Sequence, residues 1–177
     1  DIGGFAASLI EVCPDASERR ALILGAGGAA RAVVLALEGL GLSEITVANR
    51  SIERARTLQA HLKPAPLAIV TMDAEALLPA IERASLLINA TSLGWHPGET
   101  PIPLDWLGVL PADAVVVDLT YRDTDLLVAA RERGLKTLDG LPMLVHQGAK
   151  ALEQWTGRTA PIAVMMEAAR LARAARA

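Results

Sequence analysis

The stretch Ala21-Leu-Ile-Leu-Gly25-Ala-Gly27-Gly28-Ala-Ala30-Arg-Ala-Val-Val-Leu35 runs a short apolar strand straight into a glycine turn and then into a helix. That order is the signature of a dinucleotide-binding βα unit. In such a unit Gly25 makes the tight turn, Gly27 lets the backbone approach a pyrophosphate, and the small Ala30 lets helix and strand pack closely. The pyrophosphate meets unpaired N–H groups at the helix N-terminus. Gly25, Ala26, Gly27, Gly28 and Ala29 are therefore candidate cofactor contacts. Glycine turns of this kind also occur in nucleotide-binding domains that carry no hydride, so the motif fixes a ligand class and not a reaction.

Beyond the helix, from Ala29 to about Leu40, a Gly-Leu-Gly turn leads to a second strand at Glu44 to Ala48, whose end sets ribose selectivity. An NAD site usually places Asp or Glu there, where the carboxylate accepts from the ribose 2′-hydroxyl and repels a 2′-phosphate. This chain reads Asn49-Arg50-Ser51, with Arg54 one helical turn further on. Two guanidiniums stand where the acid would be, which points to a phosphate and to NADP as cofactor. The alternative is that both arginines are solvated surface charges. Cations in the first turn oppose the helix dipole at about 0.3–1 kcal/mol each, and a bound phosphate turns that cost into a gain. Ser51 is a good N-cap, yet the position three residues on holds Arg54 and not the Glu or Gln of a capping box.

Strand and helix signals alternate along the rest of the chain as a doubly wound, Rossmann-like, mostly parallel α/β sheet flanked by helices requires. A helix from about Gly3 to Val12 precedes the first strand at Ala21 to Leu24. A weaker third strand lies at Leu67 to Thr71, a helix at Ala74 to Ala84, and a fully buried fourth strand at Ser85 to Asn89. After a Gly- and Pro-rich loop from Gly94 to Pro103 come the fifth strand at Ala114 to Leu119 and a helix from about Thr124 to Arg133. A short edge strand follows at Lys136 to Leu138. Two closing helices, at about Pro142 to Trp155 and Pro161 to Arg173, break the βα rhythm. This divides the chain into a dinucleotide-binding domain over 1–139 and C-terminal helices over 140–177. In the last helix Ile162, Met165, Met166 and Ala169 form an apolar stripe that reads as core and not as a cofactor box, part of it having lost its partner if the chain is a piece of something longer.

Composition narrows the function classes. The chain has 177 residues, 52% apolar and 21% charged, with a net charge of -3 and 3% aromatic residues, which gives no electrostatic reason to expect nucleic acid. Cys13 is the only cysteine, which excludes an intrachain disulfide or a multi-cysteine zinc site and fits a reducing cytoplasm. No apolar run reaches membrane-span length, so no membrane partner is expected. His96 and His146 lack a second ligand at metal spacing, so no metal is expected. A chain that opens at Asp1-Ile-Gly-Gly-Phe5 without an initiator methionine reads as a piece of something longer.

Six ordered motifs together resemble shikimate dehydrogenase, specifically its NADP-binding domain with the closing helices. They are Asp1-Ile-Gly-Gly-Phe5, Gly25-Ala-Gly-Gly-Ala-Ala30-Arg, Asn49-Arg-Ser51, Ile88-Asn-Ala-Thr-Ser-Leu-Gly94, Val117-Asp-Leu-Thr-Tyr121 and Asp139-Gly-Leu-Pro-Met-Leu-Val-His-Gln147. The resemblance implies reversible reduction of the ketone of 3-dehydroshikimate to shikimate by NADPH, a step of aromatic amino acid biosynthesis. A Lys–Asp pair would handle the proton on the oxygen. Asp1 matches the catalytic and substrate-binding aspartate, Tyr121 the tyrosine and Gln147 the glutamine that reach the substrate. Tyr121 also has an independent case, since ligands in open α/β sheets bind beyond the carboxyl ends of the strands. Leu119 and Gly140 match positions whose backbones line the nicotinamide, and Asn89 and Thr91 end the fourth strand beside the cofactor. The last two serve equally well as turn-stabilising residues.

The same resemblance implies that the substrate domain with its serine-rich carboxylate site and catalytic lysine is absent here. Lys63, Lys136 and Lys150 lie in no motif that could replace that lysine. The isolated chain is accordingly expected to bind NADP without turning over shikimate. The implied partners are the small-molecule substrate and the missing N-terminal domain, against which residues 140–177 would pack, with a homodimer left open. A quinate/shikimate dehydrogenase using NAD and a non-catalytic NADP-binding module are the alternatives.

Overall fold

The structure is a computed structural model that describes residues 2–62 and 67–175. Six strands form one sheet: β1 (Arg20–Leu24), β2 (Glu44–Ala48), β3 (Leu67–Val70), β4 (Leu86–Asn89), β5 (Val115–Asp118) and β6 (Lys136–Leu138). Their order is β3-β2-β1-β4-β5-β6, and every neighbouring pair is parallel. The sequence reading expected a mostly parallel sheet; the described sheet is parallel throughout. The central strands β4 and β5, and β1 after Arg20, are buried on both faces, which explains their continuous apolar runs.

Seven α-helices surround the described sheet: α1 (Ile2–Val12), α2 (Gly28–Gly39), α3 (Ile52–His61), α4 (Ala74–Arg83), α5 (Asp125–Glu132), α6 (Leu141–Thr156) and α7 (Ile162–Ala174). Successive strand residues point to opposite faces and seed two separate cores. Ile23, Val47, Ile88 and Val117 join Phe5, Leu9, Val33, Leu37 and Leu58 under α1, α2 and α3. Leu22, Leu24, Leu87 and Val116 join Leu77, Ile81, Leu126 and Leu127 under α4 and α5.

Two pieces of the architecture differ from the sequence reading. A 3-10 helix at Leu104–Val109 follows the Gly/Pro loop and buries Leu107. The α7 stripe is not core: α7 has no buried residue, Ile162 is 38% exposed, and Met165, Met166 and Ala169 are only half-buried. Against α6 the thioether end of Met165 comes close to Gly148, where an added Cβ would lie 3.5 Å from Met165 Cε. The Arg173 guanidinium reaches Asp139 Oδ2 at 2.6 Å and ties the end of α7 back to the start of α6. Among the described residues no helix is long and apolar enough to cross a membrane.

Candidate active site

The strand order reverses at β1, whose neighbours are β2 and β4, and the crevice of an open α/β sheet lies at that switch. The four glycine-turn residues sit there, and their glycines have two different causes. Gly25 has φ +105, its N–H donates to Ala48 O at 2.7 Å, and an added Cβ would lie 3.0 Å from Ala90 O. Backbone conformation and the neighbouring chain both demand glycine there. Gly27 has φ -93, which any residue adopts, and an added Cβ would meet nothing within 4 Å among the described residues. Gly28 is equally open. The protein's own packing does not require a glycine at either position, and the space beside both is open. Gly27 caps α2 without any side-chain hydrogen bond, which leaves first-turn N–H groups directed at that space. Ala26 is half-buried against the core, Ala29 is exposed and Ala30 is fully buried.

Beyond β2 the backbone is braced by Asn49, whose Nδ2 donates to Ser51 O at 2.8 Å. Ser51 caps α3, accepting from Arg54 N at 3.3 Å while its hydroxyl donates to Glu53 Oε2 at 3.1 Å. Arg50 and Arg54 are exposed. Among the described residues neither guanidinium has a carboxylate within salt-bridge distance. Two unpaired cations beside a helix N-terminus suit a phosphate dianion. Glu53 is a feature the sequence reading passed over. Its carboxylate is held below the usual range by the backbone N–H at the helix start, then by Ser51 and Arg56.

The ends of β4 and β5 form a closed polar network. Asn89 is fully buried; its Nδ2 donates to Leu93 O at 2.9 Å and Asp118 Oδ2 at 3.0 Å. Its Oδ1 accepts from Thr91 N at 3.0 Å and Thr91 Oγ1 at 2.7 Å. Asp118, also fully buried, further accepts from Thr120 N, Thr120 Oγ1 and Thr124 Oγ1 at 2.9–3.0 Å. The Asn89 side chain has no hydrogen-bonding capacity left, so of the two roles open to it the turn-shaping one is what this geometry provides. Gly140 closes the floor: its N–H donates to Thr120 O at 2.8 Å, and an added Cβ would fall 2.1 Å from Leu119 O. That contact presses the start of α6 against the backbone of half-buried Leu119.

Tyr121 stands beyond β5, 46% exposed, with its ring edge-on to Trp95 at 4.9 Å and 77°. Gln147 lies apart from it, half-buried in a cleft of about 610 Å³ that it shares with Gly3, Gly4, Gly28, Arg31 and Lys150. That cleft brings the glycine turn and α6 together, and Tyr121 does not line it. Asp1 lies outside the described residues. His146 Nε2 pairs with Glu11 at 3.0 Å and fastens α6 to α1. Among the described residues no three His, Cys, Asp or Glu side chains could hold a metal ion.

Residues 7–95 match the family Shikimate / quinate 5-dehydrogenase, and residues 140–170 match the Shikimate 5'-dehydrogenase C-terminal domain. A shikimate dehydrogenase (NADP(+)) of Symbiobacterium thermophilum is 45% identical over 172 residues, covering 94% of this chain and 58% of the relative. Among solved structures, Thermus thermophilus shikimate 5-dehydrogenase in complex with NADP(H) and shikimate is 39% identical with a TM-score of 0.81. It covers 97% of this chain and 62% of that one. Corynebacterium glutamicum quinate dehydrogenase in complex with NAD is 31% identical with a TM-score of 0.85, covering 97% and 61%. The chain thus spans about three-fifths of the length of the relatives it matches. With the glycine turn, the Asn-Arg-Ser strand end and the closing helices all in these positions, the chain belongs to the shikimate/quinate dehydrogenase family.

Proposed function

We propose that this chain is the NADP-binding part of a shikimate dehydrogenase that interconverts 3-dehydroshikimate and shikimate in the cytoplasm. The observation that carries the reading is the pair of open glycines, Gly27 and Gly28, at the sheet's switch point, with unpaired Arg50 and Arg54 past the neighbouring strand. Gly25, Ala26, Gly27, Gly28 and Ala29 would receive the pyrophosphate, and Asn49, Arg50, Ser51 and Arg54 the 2′-phosphate. Asn89 and Thr91 would shape the wall between them, and the Leu119 and Gly140 backbones would line the nicotinamide end. The bound dinucleotide would supply the hydride.

The chain's own groups would orient and exclude. Tyr121 would offer its hydroxyl to the substrate from beyond β5, and Gln147 its amide from α6. Asp1 would hold the partner lysine's ammonium charged and accept from a substrate hydroxyl. That lysine and the serine-rich carboxylate site would come from a segment preceding Asp1, packed against residues 140–177. Support comes from the exposed apolar residues Leu152, Trp155 and Val164 on α6 and α7, at 37%, 83% and 67% exposure. Dimerisation through the same faces is the competing arrangement. The chain alone would then bind dinucleotide without oxidising shikimate.

An NAD-using quinate/shikimate dehydrogenase is favoured by one observation, the Glu53 carboxylate in the first turn of α3. Two cations against one anion favour the 2′-phosphate. Calorimetric titration of NADP, NADPH and NAD against wild type and Arg50→Ala tests this. Arg50→Ala is expected to weaken NADP by about 1.5–3 kcal/mol, as for a lost charge-assisted contact, and to leave NAD unchanged. Equal affinity of the wild type for NAD and NADP overturns the assignment.

A further inference from the structure

We propose that Trp95 is a positioning residue: it fixes the ring of Tyr121 so that the tyrosine hydroxyl is presented to substrate in one orientation. The inference rests on the shikimate dehydrogenase reading and extends it to a residue outside the family motifs considered above.

Three observations support it. First, both rings stand in solvent beyond the ends of adjacent strands, Trp95 at 40% and Tyr121 at 46% exposure, and they meet edge to face. Large aromatic side chains left half in water are not there to fill the core, and a T-shaped pair restrains both rings. The Tyr121 hydroxyl has no hydrogen-bond partner among the described residues, so what the pair restrains is a free polar tip.

Second, Trp95 is itself held from several sides. The Arg122 guanidinium donates to its carbonyl, and Gly98 N donates to Asp125 Oδ2 at 2.6 Å three residues further on. The preceding Gly94 has φ +113, and an added Cβ would lie 3.2 Å from Thr124 Cγ2 and 3.5 Å from Asp118 Oδ2. The backbone carrying Trp95 is therefore docked on the buried Asn89–Asp118–Thr124 network, so the indole meets Tyr121 from an anchored stretch of chain.

Third, the Tyr121 ring has no other aromatic partner among the described residues. A tyrosine that must first be ordered loses affinity for its ligand in proportion, so removing the indole should act on substrate binding and leave the chemical step alone.

Two measurements test this. Tyr121 is the only tyrosine, so tyrosine labelled at the ring Cζ alone gives one NMR signal. Trp95→Ala should move and broaden that signal in this chain while Trp155→Ala leaves it in place; an unmoved signal overturns the proposal without reference to any substrate. In the full-length protein with saturating NADP, Trp95→Ala should raise KM for shikimate about three- to tenfold with kcat within twofold. Trp95→Phe should restore it. In a Tyr121→Phe background, Trp95→Ala should add nothing further. A full additional loss there, or a fall in kcat with KM unchanged, overturns the positioning role. A wild type that does not oxidise shikimate while the tyrosine signal still responds to Trp95→Ala overturns the functional reading and the substrate role with it, but leaves the ring contact standing.

Discussion

Replacing Gly25 and Gly27 by alanine, one at a time, separates what the glycine turn does for the fold from what it does for a ligand. At Gly25 the new side chain meets two penalties. A φ of +105 strains any L-residue by about 1–3 kcal/mol, and backbone atoms of Ala90 at 3.0–3.1 Å cannot give way, adding about 1–3 kcal/mol of overpacking. Reduced freedom of the unfolded chain returns about 0.4–1 kcal/mol. The net loss is about 1–5.6 kcal/mol, or roughly 2–22 °C in Tm for a domain of this size. At Gly27 φ is ordinary and the space is open, so the same entropic gain roughly offsets the poorer capping of alanine, and Tm should stay within about 2 °C. Yet the Gly27 methyl would stand where a pyrophosphate must approach the backbone, and crowding of about 1–3 kcal/mol should weaken NADP by roughly 5- to 150-fold. Thermal unfolding followed by circular dichroism and calorimetric titration of NADP read the two effects separately. Wild-type NADP affinity in Gly27→Ala, or a Tm loss equal to that of Gly25→Ala, would refute the claim that Gly27 exists for a ligand.

Other perturbations test neighbouring parts of the structure. Asp118→Ala strips the acceptor from Asn89, Thr120 and Thr124 in a fully buried site and should cost about 3–5 kcal/mol in urea denaturation. Glu53→Gln removes the carboxylate beside Ser51 and should tighten NADP relative to NAD severalfold by titration, the opposite direction to Arg50→Ala. Burial, with help from the Asp15 hydrogen bond, pushes the Cys13 thiol from its ordinary 9.0 up to about 11. The folded state therefore keeps a proton that the unfolded chain loses, so stability from this group is intact below pH 9 and falls as pH rises towards 11; Cys13→Ala should flatten that slope in thermal scans.

The fold was legible because β1, β3, β4 and β5 are mostly apolar runs set off by turn or cap residues, and even the more polar β2 and β6 match their expected bounds residue for residue. α3 was legible only at its start: Ser51 announces it, but Ile52, Ala55 and Leu58 give one narrow apolar edge among charged residues. The α7 stripe was legible as an apolar face, but periodicity is silent on what covers it, and here it stays half-exposed. In the site, the glycine turn and the Asn-Arg-Ser end could be read because each lies within a few residues of chain. Asp118 and Trp95 could not. Asn89 and Asp118 are 29 residues apart and meet only because β4 and β5 pair in that register, and Trp95 finds Tyr121 across two loops.

These two kinds of residue also divide the work of the site. Around Asn89, Thr91 and Asp118 donors and acceptors are spent on one another, so these side chains hold the loops at the ends of β4 and β5 and offer little to a ligand. Among the described residues, the N–H donors at Gly27 and Gly28, the guanidiniums of Arg50 and Arg54, and the Tyr121 hydroxyl have no internal partner. A ligand meets these without first breaking any described internal hydrogen bond, which is what preorganisation requires. Loss of a saturated residue should therefore lower stability and affinity together: Asn89→Ala takes a donor from Leu93 O and from the buried Asp118 Oδ2, and releases the turn that faces Gly25. Loss of a free residue should lower affinity alone, because Arg50 has no described ionic partner to abandon. If Arg50→Ala unfolded the protein as readily as Asn89→Ala, that arginine would belong to the scaffold and the phosphate would need another host.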